Sequence, residues 1–366
     1  MKLTCDGLAL SEAVLKVSKA MPTKKNNSVL EGIKMVAKDG YLTLTTTDLE
    51  LAVITRIAAD VQIEGELLVL GKLFADFVKS LSDEKITLEC VGGKNITIKY
   101  GDNEGFIKCM DFDSYPVVDR IAENSSFSMA KDDLKDLINK VAFAASQEDS
   151  RPIFKGCLFE IIDNVITAVA LDGYRLSLCK KTCVAQNNGK YIIPARALNE
   201  ILHIIDDAED DIKLVFSNEK MMVEIGSTQL ISRLIMGEYI NYRNIIASDF
   251  NSVGIMKRDQ FFDSIKRVSI ISRADKNNTV KLELSESVVF IDSHTEMGNI
   301  HESIPADIEG KDCVISFNCK YIQDIINVID DEFIKINIKS SNSPCIFTPV
   351  DGDAYLFLVL PMRVSA

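Results

Sequence analysis

The six residues Leu-Phe-Ala-Asp-Phe-Val at positions 73–78 recur in pattern as Ala-Leu-Asn-Glu-Ile-Leu at 197–202 and as Tyr-Ile-Gln-Asp-Ile-Ile at 321–326. The segments start 124 residues apart (197 − 73 and 321 − 197), and each has the apolar spacing of one helix face. A β-like run precedes each of them, at 66–70, 190–193 and 313–317, and alternating strands such as 85–90 and 333–338 follow. Self-similarity at a fixed period predicts repeated copies of one structural unit.

Other features keep the same offset. Gly32 and Gly156, Asp48 and Asp172, and Tyr115 and Tyr239 are each 124 residues apart, and segments of amphipathic spacing open the copies at 10–21, 134–146 and 261–272. The early strands of the third copy diverge most. The sequence therefore predicts an α+β fold of three tandem domains, each with two helices and antiparallel sheet, at 1–122, 123–249 and 250–366. Head-to-tail contacts between such units can close into a ring.

The composition is that of an ordinary globular protein, with 47% hydrophobic and 26% charged residues in 366. No secretory signal opens the chain, and no stretch approaches the roughly 20 uncharged apolar residues of a membrane span. The nine cysteines are scattered without a CxxC pair, which is typical of reduced thiols in a cytoplasmic protein. We expect a cytoplasmic protein with no membrane partner.

The net charge of −13 is unusual for a protein that binds nucleic acid. Binding depends on the local field, however, so basic residues concentrated on one surface suffice. Lys72, Arg196 and Lys320 occupy the same position in the three copies, at the start of the second helix. The helix dipole disfavours a cation there, which favours an external anionic partner, although a solvated lysine and a chance match remain open.

More basic residues belong to the opening helices or follow them. Lys140 lies on the second opening helix, Lys266 and Arg267 on the third, and Lys24 and Lys25 just beyond the first. The chain has no tryptophan and few aromatic residues near these positions, so a platform that stacks single-stranded bases is disfavoured. We expect contacts with the backbone of double-stranded DNA, which hold it without reading its sequence.

The sequence gives no positive sign of catalysis. The three histidines stand in different contexts without a Glu-x-x-His partner, so no metal site is expected. No phosphate-binding GxxxxGK[ST] loop, dinucleotide GxGxxG turn or GxSxG nucleophile elbow is present. We therefore expect no enzyme, no catalytic residues and no cofactor.

Several motifs resemble one family. The opening Met-Lys-Leu-Thr at 1–4, Thr-Thr-Thr-Asp-Leu-Glu at 45–50, Leu-Asp-Gly-Tyr-Arg-Leu at 171–176, Tyr-Ile-Asn-Tyr-Arg at 239–243 and Leu-Pro-Met-Arg at 360–363 are similar to the bacterial beta sliding clamps, the beta subunits of DNA polymerase III. The resemblance covers the whole chain in order. It implies a head-to-tail homodimer whose six domains close around duplex DNA, with helices lining a positive pore. In that arrangement Lys24, Lys72 and Arg196 contact DNA.

The resemblance also implies a hydrophobic cleft that receives short peptide motifs. The implied partners are the polymerase alpha subunit, the clamp loader, and other polymerases and repair proteins. Adaptable aliphatic and methionine side chains suit a promiscuous pocket. The implied lining residues are Phe154, Leu171, Gly173, Tyr174, Arg175, Leu176, Ile240, Ile245, Leu358, Leu360, Pro361, Met362 and Arg363. Leu176 and Leu358 could equally be ordinary core residues.

The family's dimer interface pairs the first domain of one subunit with the third domain of the other, and Phe106, Ile270 and Ile271 match its apolar positions. The chain departs from common family residues at Tyr174, at Tyr239-Ile240 and at Lys108. These departures put the peptide preference and the strength of the dimer in doubt.

Two other functional classes stay open at this point. A repeat-domain enzyme would need a cluster of acid–base or nucleophilic residues, and none is seen. A peptide-binding scaffold unrelated to DNA is disfavoured by the recurring Lys72, Arg196 and Lys320.

Overall fold

The computed structural model describes residues 1–22, 28–82, 84–119, 121–208 and 211–362. The described part of the chain contains six α-helices: α1 Gly7–Ser18, α2 Gly71–Lys79, α3 Lys131–Ala142, α4 Ala195–Ile204, α5 Arg258–Ser272 and α6 Cys319–Ile326. The second helices of the copies begin 124 residues apart (195 − 71 and 319 − 195), as the sequence predicts. The first helices begin at 7, 131 and 258, three residues before the predicted starts. The first two of them also end earlier than predicted, at Ser18 and Ala142.

The strands follow the same repeating order. In the first half of the chain they are β1 Lys2–Asp6, β2 Gly32–Lys38, β3 Tyr41–Thr47, β4 Leu51–Ile63, β5 Gly65–Leu70, β6 Lys85–Cys90, β7 Asn95–Tyr100, β8 Asn103–Met110, β9 Ser125–Met129, β10 Gly156–Ile162, β11 Val165–Leu171 and β12 Arg175–Thr182. In the second half they are β13 Val184–Ala185, β14 Gly189–Pro194, β15 Ile212–Phe216, β16 Lys220–Ile225, β17 Thr228–Arg233, β18 Ser252–Lys257, β19 Thr279–Ser285, β20 Val288–Thr295, β21 Gly298–Gly310, β22 Cys313–Asn318, β23 Phe333–Ile338, β24 Cys345–Thr348 and β25 Tyr355–Val359.

The chain forms two compact units, residues 1–131 with 196–234, and residues 132–195 with 235–366. The first unit holds a sheet with the strand order β1-β6-β7-β8-β5-β2-β3-β4-β17-β16-β15-β9. The second holds a 12-stranded sheet with the order β14-β10-β11-β12-β25-β24-β23-β18-β21-β20-β19-β22. Neighbouring strands are antiparallel. In strands such as β6 and β19, buried positions alternate with less buried ones, as expected when one sheet face packs against helices.

One junction in each unit joins successive copies of the repeat. In the first unit β4 pairs with β17, for example Val53 with Leu230. In the second unit the equivalent strands β12 and β25 pair, for example Leu176 with Leu358. The same pair of strands therefore joins copy one to copy two and copy two to copy three.

Local chemistry repeats as well. Asp48 Oδ1 accepts hydrogen bonds from the amides of residues 50 and 51, and Asp172 Oδ1 accepts from the amides of residues 174 and 175. Such side-chain-to-backbone bonds hold a turn in place. The second helices each begin with a small buried residue, Gly71, Ala195 or Cys319. A Cβ at Gly71 would lie 2.3 Å from Met21 Sδ and 2.9 Å from the Glu31 carbonyl oxygen, so this helix start tolerates only glycine.

Candidate functional site

The recurring cations lie where the sequence predicts, each as the second residue of its helix. Lys72 in α2, Arg196 in α4 and Lys320 in α6 are all exposed. The positive end of each helix dipole lies beside them, so each helix start is a region of positive potential, and at α6 the Lys320 amide donates to Asn318 Oδ1 at 3.0 Å. An anion outside the protein would be attracted to these positions.

The three cations differ in how far their charge is already paired within the protein. Arg196 forms an ion pair with Asp48 and donates a second hydrogen bond, of 3.0 Å, to the Lys19 carbonyl oxygen. No ion pair of Lys72 or Lys320 is found among the described residues. Lys72 and Lys320 therefore keep their full charge for an external partner, whereas Arg196 shares its charge with Asp48.

The other predicted DNA-binding residues divide into three groups. Lys266 is exposed, and Arg267 is exposed but held by Glu302 at 2.6 Å. Lys140 is poorly placed for a contact with DNA, because its side chain is only 8% exposed, pairs with Asp136 and lies 5.9 Å from the centre of the Tyr355 ring. Lys24 and Lys25 lie outside the described residues.

The residues predicted to form a cleft share one apolar surface in the second unit. Pairing of β12 with β25 places Leu176 beside Leu358, and the preceding strand β11 adds Leu171. These three leucines are buried in a cluster that also holds Leu178, and Phe154 packs against its edge. Leu176 and Leu358 are thus core residues and form the floor of this surface.

Four more of the predicted cleft residues are apolar and exposed. Tyr174, Ile240, Ile245 and Leu360 are all more than a third exposed. Tyr174 stacks on Tyr321 with ring centres 6.3 Å apart, and Gly173 before it has φ of +96°, which favours glycine. Tyr174 and Leu360 lie directly beyond the paired ends of β12 and β25, beside the buried leucines, and exposed apolar side chains of this kind suit contact with a short peptide.

The end of the described chain lies along the same surface. The Leu360 amide donates to the Tyr174 carbonyl oxygen at 2.8 Å, and the Met362 amide donates to the Ser316 carbonyl oxygen at 2.7 Å. Pro361 and Met362 are half-buried between these anchors. Arg363, also predicted to line the cleft, lies outside the described residues.

Arg175 has a different role from the one the sequence suggested. Its side chain is only 10% exposed and pairs with Asp172 at 3.0 Å and with Asp324 at 2.6 Å. It also donates to the Phe143 carbonyl oxygen at 2.9 Å and lies 4.6 Å from the centre of the Tyr321 ring. Arg175 therefore fastens the turn before β12 to α6, and it positions the cleft wall.

The sequence analysis missed the partners that hold this region together. Asp324 was not singled out, although Asp76, Glu200 and Asp324 place an acid at the same point of each second helix. Tyr242, which lies between the predicted cleft residues Ile240 and Ile245, is also buried in the leucine cluster. Its hydroxyl donates to Glu160 at 3.1 Å. The 124-residue spacing was the signal that could have revealed the acidic position.

The predicted dimer residues lie on strand β8 and near the end of helix α5. Phe106 on β8 is 72% exposed, and Ile270 near the end of α5 is 69% exposed. Ile271 is half-buried, and its Cδ1 would lie 3.9 Å from a Cβ built on Gly298, the first residue of β21. Leu73 on α2 and Met297 before β21 add exposed apolar side chains that the sequence analysis did not name.

Within the described ranges, no group of three or more His, Cys, Asp and Glu side chains is arranged to hold a metal ion. His301 pairs with Asp292, and His203 lies 3.8 Å from Glu200. Burial raises the pKa of the Cys157 thiol to about 12, which disfavours the nucleophilic thiolate. In that same part of the chain, no helix is long and apolar enough to cross a membrane.

Comparisons with known proteins agree with this geometry. The N-terminal, central and C-terminal domain models of the DNA polymerase III beta subunit match residues 1–119, 128–241 and 243–363. A beta sliding clamp of Halalkalibacterium halodurans is 30% identical over 363 residues, which cover 95% of each chain. One of Staphylococcus epidermidis is 29% identical over 357 residues, which cover 94% of each.

Solved structures match over the full length. The DNA polymerase sliding clamp of Bacillus subtilis has a TM-score of 0.94 at 27% identity, and the beta subunit of Thermotoga maritima has 0.92 at 27%. Each match covers 100% of both chains. The chain has the three-domain clamp fold, and it belongs to the DNA polymerase III beta subunit family, the sliding clamps, which act in DNA replication as processivity factors without catalysis of their own.

Proposed function

We propose that two copies of this chain, each with domains at 1–122, 123–249 and 250–366, join head to tail around duplex DNA in the cytoplasm. The ring would hold the replicative polymerase on DNA by topology. Its contacts with DNA would be independent of sequence, because base-specific contacts of about 1–3 kcal/mol each would stop the ring from sliding.

The observation that carries this proposal is the exposed cation at the second position of all three second helices, Lys72, Arg196 and Lys320. Phosphates attracted to these helix starts would meet both the side-chain charge and the positive end of the helix dipole. Lys266, Arg267, Lys24 and Lys25 are proposed as further contacts, and Lys140 is not, because it is buried. The whole chain has a net charge of −13 despite these cations, so the rest of the surface is acidic and would repel DNA.

Open strand edges support the dimer. In both observed junctions, the strand equivalent to β4 pairs with the strand equivalent to β8. Residues 103–107 of β8 pair with β7, and residues 299–303 of β21 pair with β20. On the opposite side of each strand, these residues have no strand partner in the described chain. Pairing of β8 from one subunit with β21 from the next would repeat the junction a third time. Phe106, Ile270 and Ile271 flank these edges.

The apolar cleft is proposed to bind short peptide segments of the polymerase alpha subunit, the clamp loader, and other polymerases and repair proteins. Tyr174, Ile240, Ile245 and Leu360 would contact the peptide directly. The buried floor of Leu171, Leu176 and Leu358, with Phe154 at its edge and Arg175 behind it, would keep the pocket in shape. Gly173, Pro361, Met362 and Arg363 complete the proposed lining.

The decisive test is retention on a nicked circular DNA after loading by a clamp loader, before and after the circle is linearised. We expect the protein to stay on the circle and to leave once free ends appear, because only a closed ring is released by sliding off an end. Equal retention on both forms would mean ordinary surface binding. No retention after loading would favour a scaffold that does not act on DNA.

Deletion of residues 361–366 tests the cleft. The Met362 amide anchors the end of the chain to β22, so the deletion removes one side of the apolar surface and leaves both strand edges intact. We expect the deletion to abolish binding of a polymerase-derived peptide in fluorescence anisotropy and to preserve the dimer in sedimentation. Full-length affinity in the truncated protein would contradict the cleft assignment.

A further inference from the structure

A cavity of about 490 Å³ opens on the same sheet as the proposed cleft, and it is called the outer pocket below. Its floor crosses five adjacent strands, with Thr167 on β11, Leu178 on β12, Leu356 on β25, Thr348 on β24 and Lys335 on β23. One wall is the segment 242–248 and the other is the turn 349–353. Its volume lies within the range of about 300–1,000 Å³ typical of ligand pockets.

The outer pocket is apolar at its base. Leu178 and Leu356 belong to the same leucine cluster or pack directly on it, as do Tyr242 and Ile246. Val350 adds a further aliphatic side chain at the turn. This base would favour a branched aliphatic or aromatic side chain of a ligand, since burial stabilises by about 25 cal/mol for each Å² of apolar surface removed from water.

The rim of the outer pocket carries excess positive charge. Lys180, Arg243 and Lys335 line it, against the single carboxylate of Asp353. Lys180 pairs with Asp353, and Arg243 pairs with Glu160, which Lys190 also contacts at 2.8 Å. Lys335 has no side-chain partner among the described residues. With these pairs counted, one positive charge of the rim remains unbalanced, that of Lys335, on a chain whose net charge is −13.

The outer pocket and the cleft share their central strands. Leu176 and Leu358 form the cleft floor, and Leu178 and Leu356 lie two residues further along the same strands on the same face. Two residues of a strand span about 7 Å, so one peptide could reach both sites. Binding at a second site on one tether raises affinity through effective concentration, without new contacts at the first.

We propose that the outer pocket binds an acidic–aliphatic segment of the protein whose short motif occupies the cleft. The acidic side chain would lie beside Lys335, and the aliphatic side chain would pack on Leu178 and Leu356. This inference rests on the proposed cleft, and it adds the chemistry of a second contact on the same partner.

The test uses methyl NMR of the full-length protein with the probe peptide acetyl-Leu-Glu-Glu-amide. We expect shifts at the methyl groups of Leu178, Ile246 and Leu356, with a dissociation constant on the order of 1 mM. The neutral peptide acetyl-Leu-Gln-Gln-amide should bind about tenfold more weakly, because it lacks the charges that complement the rim. Octanoate is the probe for a simple anionic amphiphile.

Lys335→Glu is the decisive variant, and Lys311→Glu, on an exposed turn, is its matched control. We expect about tenfold weaker binding of the acidic peptide in Lys335→Glu and wild-type binding in the control. The proposal is overturned if both variants lose affinity for the acidic peptide equally, or if the NMR shifts are confined to the methyl groups of Leu171 and Leu360. It is also overturned if octanoate binds the outer pocket and the peptide does not. Retention on nicked circular DNA does not involve Lys335, so failure of the clamp function would be seen separately.

Discussion

Glu160 is a buried carboxylate on β10, and it holds the segment after β17 against the 12-stranded sheet of the second unit. Its partners are Lys190 at 2.8 Å, the Tyr242 hydroxyl at 3.1 Å and the Arg243 guanidinium. Burial alone would raise the pKa of this carboxyl, but the hydrogen bonds from Lys190, Arg243 and Tyr242 outweigh it and lower the pKa to about 2. The charged form of Glu160 is therefore stabilised in the folded protein.

This depressed pKa predicts how stability varies with pH. The unfolded value is about 4.5, so the contribution of Glu160 is complete above pH 5 and is lost as pH falls toward 2. We expect Glu160→Gln to lower the free energy of unfolding by about 2 kcal/mol at pH 7, a value reduced because Lys190 and Arg243 are more than half exposed.

Urea unfolding of wild type and Glu160→Gln between pH 7 and pH 2.5 would measure this contribution. The difference between the two proteins should narrow steadily below pH 5. Glu224→Gln, on the exposed side of β16, is the control and should change the unfolding midpoint little at any pH. A constant difference across the whole range would show that the charge of Glu160 is not what stabilises the segment.

Lys140 and Arg175 are two basic residues that the sequence pattern places at exposed sites and that the structure largely buries, for one physical reason. Each has partners far away in sequence: Lys140 lies near Asp330 and Tyr355, and Arg175 pairs with Asp324. A basic side chain on an amphipathic helix or beside a turn is usually solvated, so local pattern predicts exposure. Only the packing of the third copy against the second copy's helix and turn reveals that these two are buried.

At the level of elements, the 124-residue period predicted most of the architecture. The spacing of the second helices and the bounds of β6 and β23 agree with the sequence, because strict apolar alternation leaves little freedom in register. The pairing of β12 with β25 could not be predicted in the same way. That pairing joins residues about 180 positions apart, and no local pattern records which edge meets which.

The exposed lysines at the starts of α2 and α6 lead to a prediction about how long the protein stays on DNA. Lys72 and Lys320 are exposed and lack ion pairs in the described residues, whereas Arg196 also supports its own junction through Asp48. We expect Lys72→Glu combined with Lys320→Glu to shorten residence on circular DNA by about tenfold at 150 mM salt, and to flatten the dependence of retention on salt. The fold should be unaffected, because both side chains point to solvent.

The matched control reverses two lysines elsewhere, Lys38→Glu with Lys311→Glu, which changes the net charge equally. Its residence time should stay close to that of wild type. If both double variants lose DNA to the same degree, total charge governs retention, and the helix starts have no special role. Residence is measured from the decay of labelled protein on nicked circles after the loader is removed.

At the scale of the whole molecule, the same strand pairing joins successive copies of the repeat twice. The two strands that could form it a third time, β8 and β21, each have one unpaired side. β4 with β17 and β12 with β25 are equivalent pairs, and residues 103–107 of β8 and 299–303 of β21 are the remaining edges. Unpaired edges are liable to pair with another chain unless they are protected. A second copy of this chain offers the matching edge, and heterologous pairing of this kind closes when the rotation is correct.

This arrangement predicts that one charge at the open edge separates the subunits. Phe106 is 72% exposed on β8, so Phe106→Glu leaves the core of its own domain untouched and places a carboxylate in the apolar contact with α5. We expect the variant to sediment as a monomer at micromolar concentration and to leave nicked circles as readily as linear DNA. Val91→Glu, at an equally exposed apolar site in the turn between β6 and β7, should remain a dimer. A Phe106→Glu dimer as tight as the control would place the interface on another surface, and retention on circles would then need a different explanation from ring closure through β8 and β21.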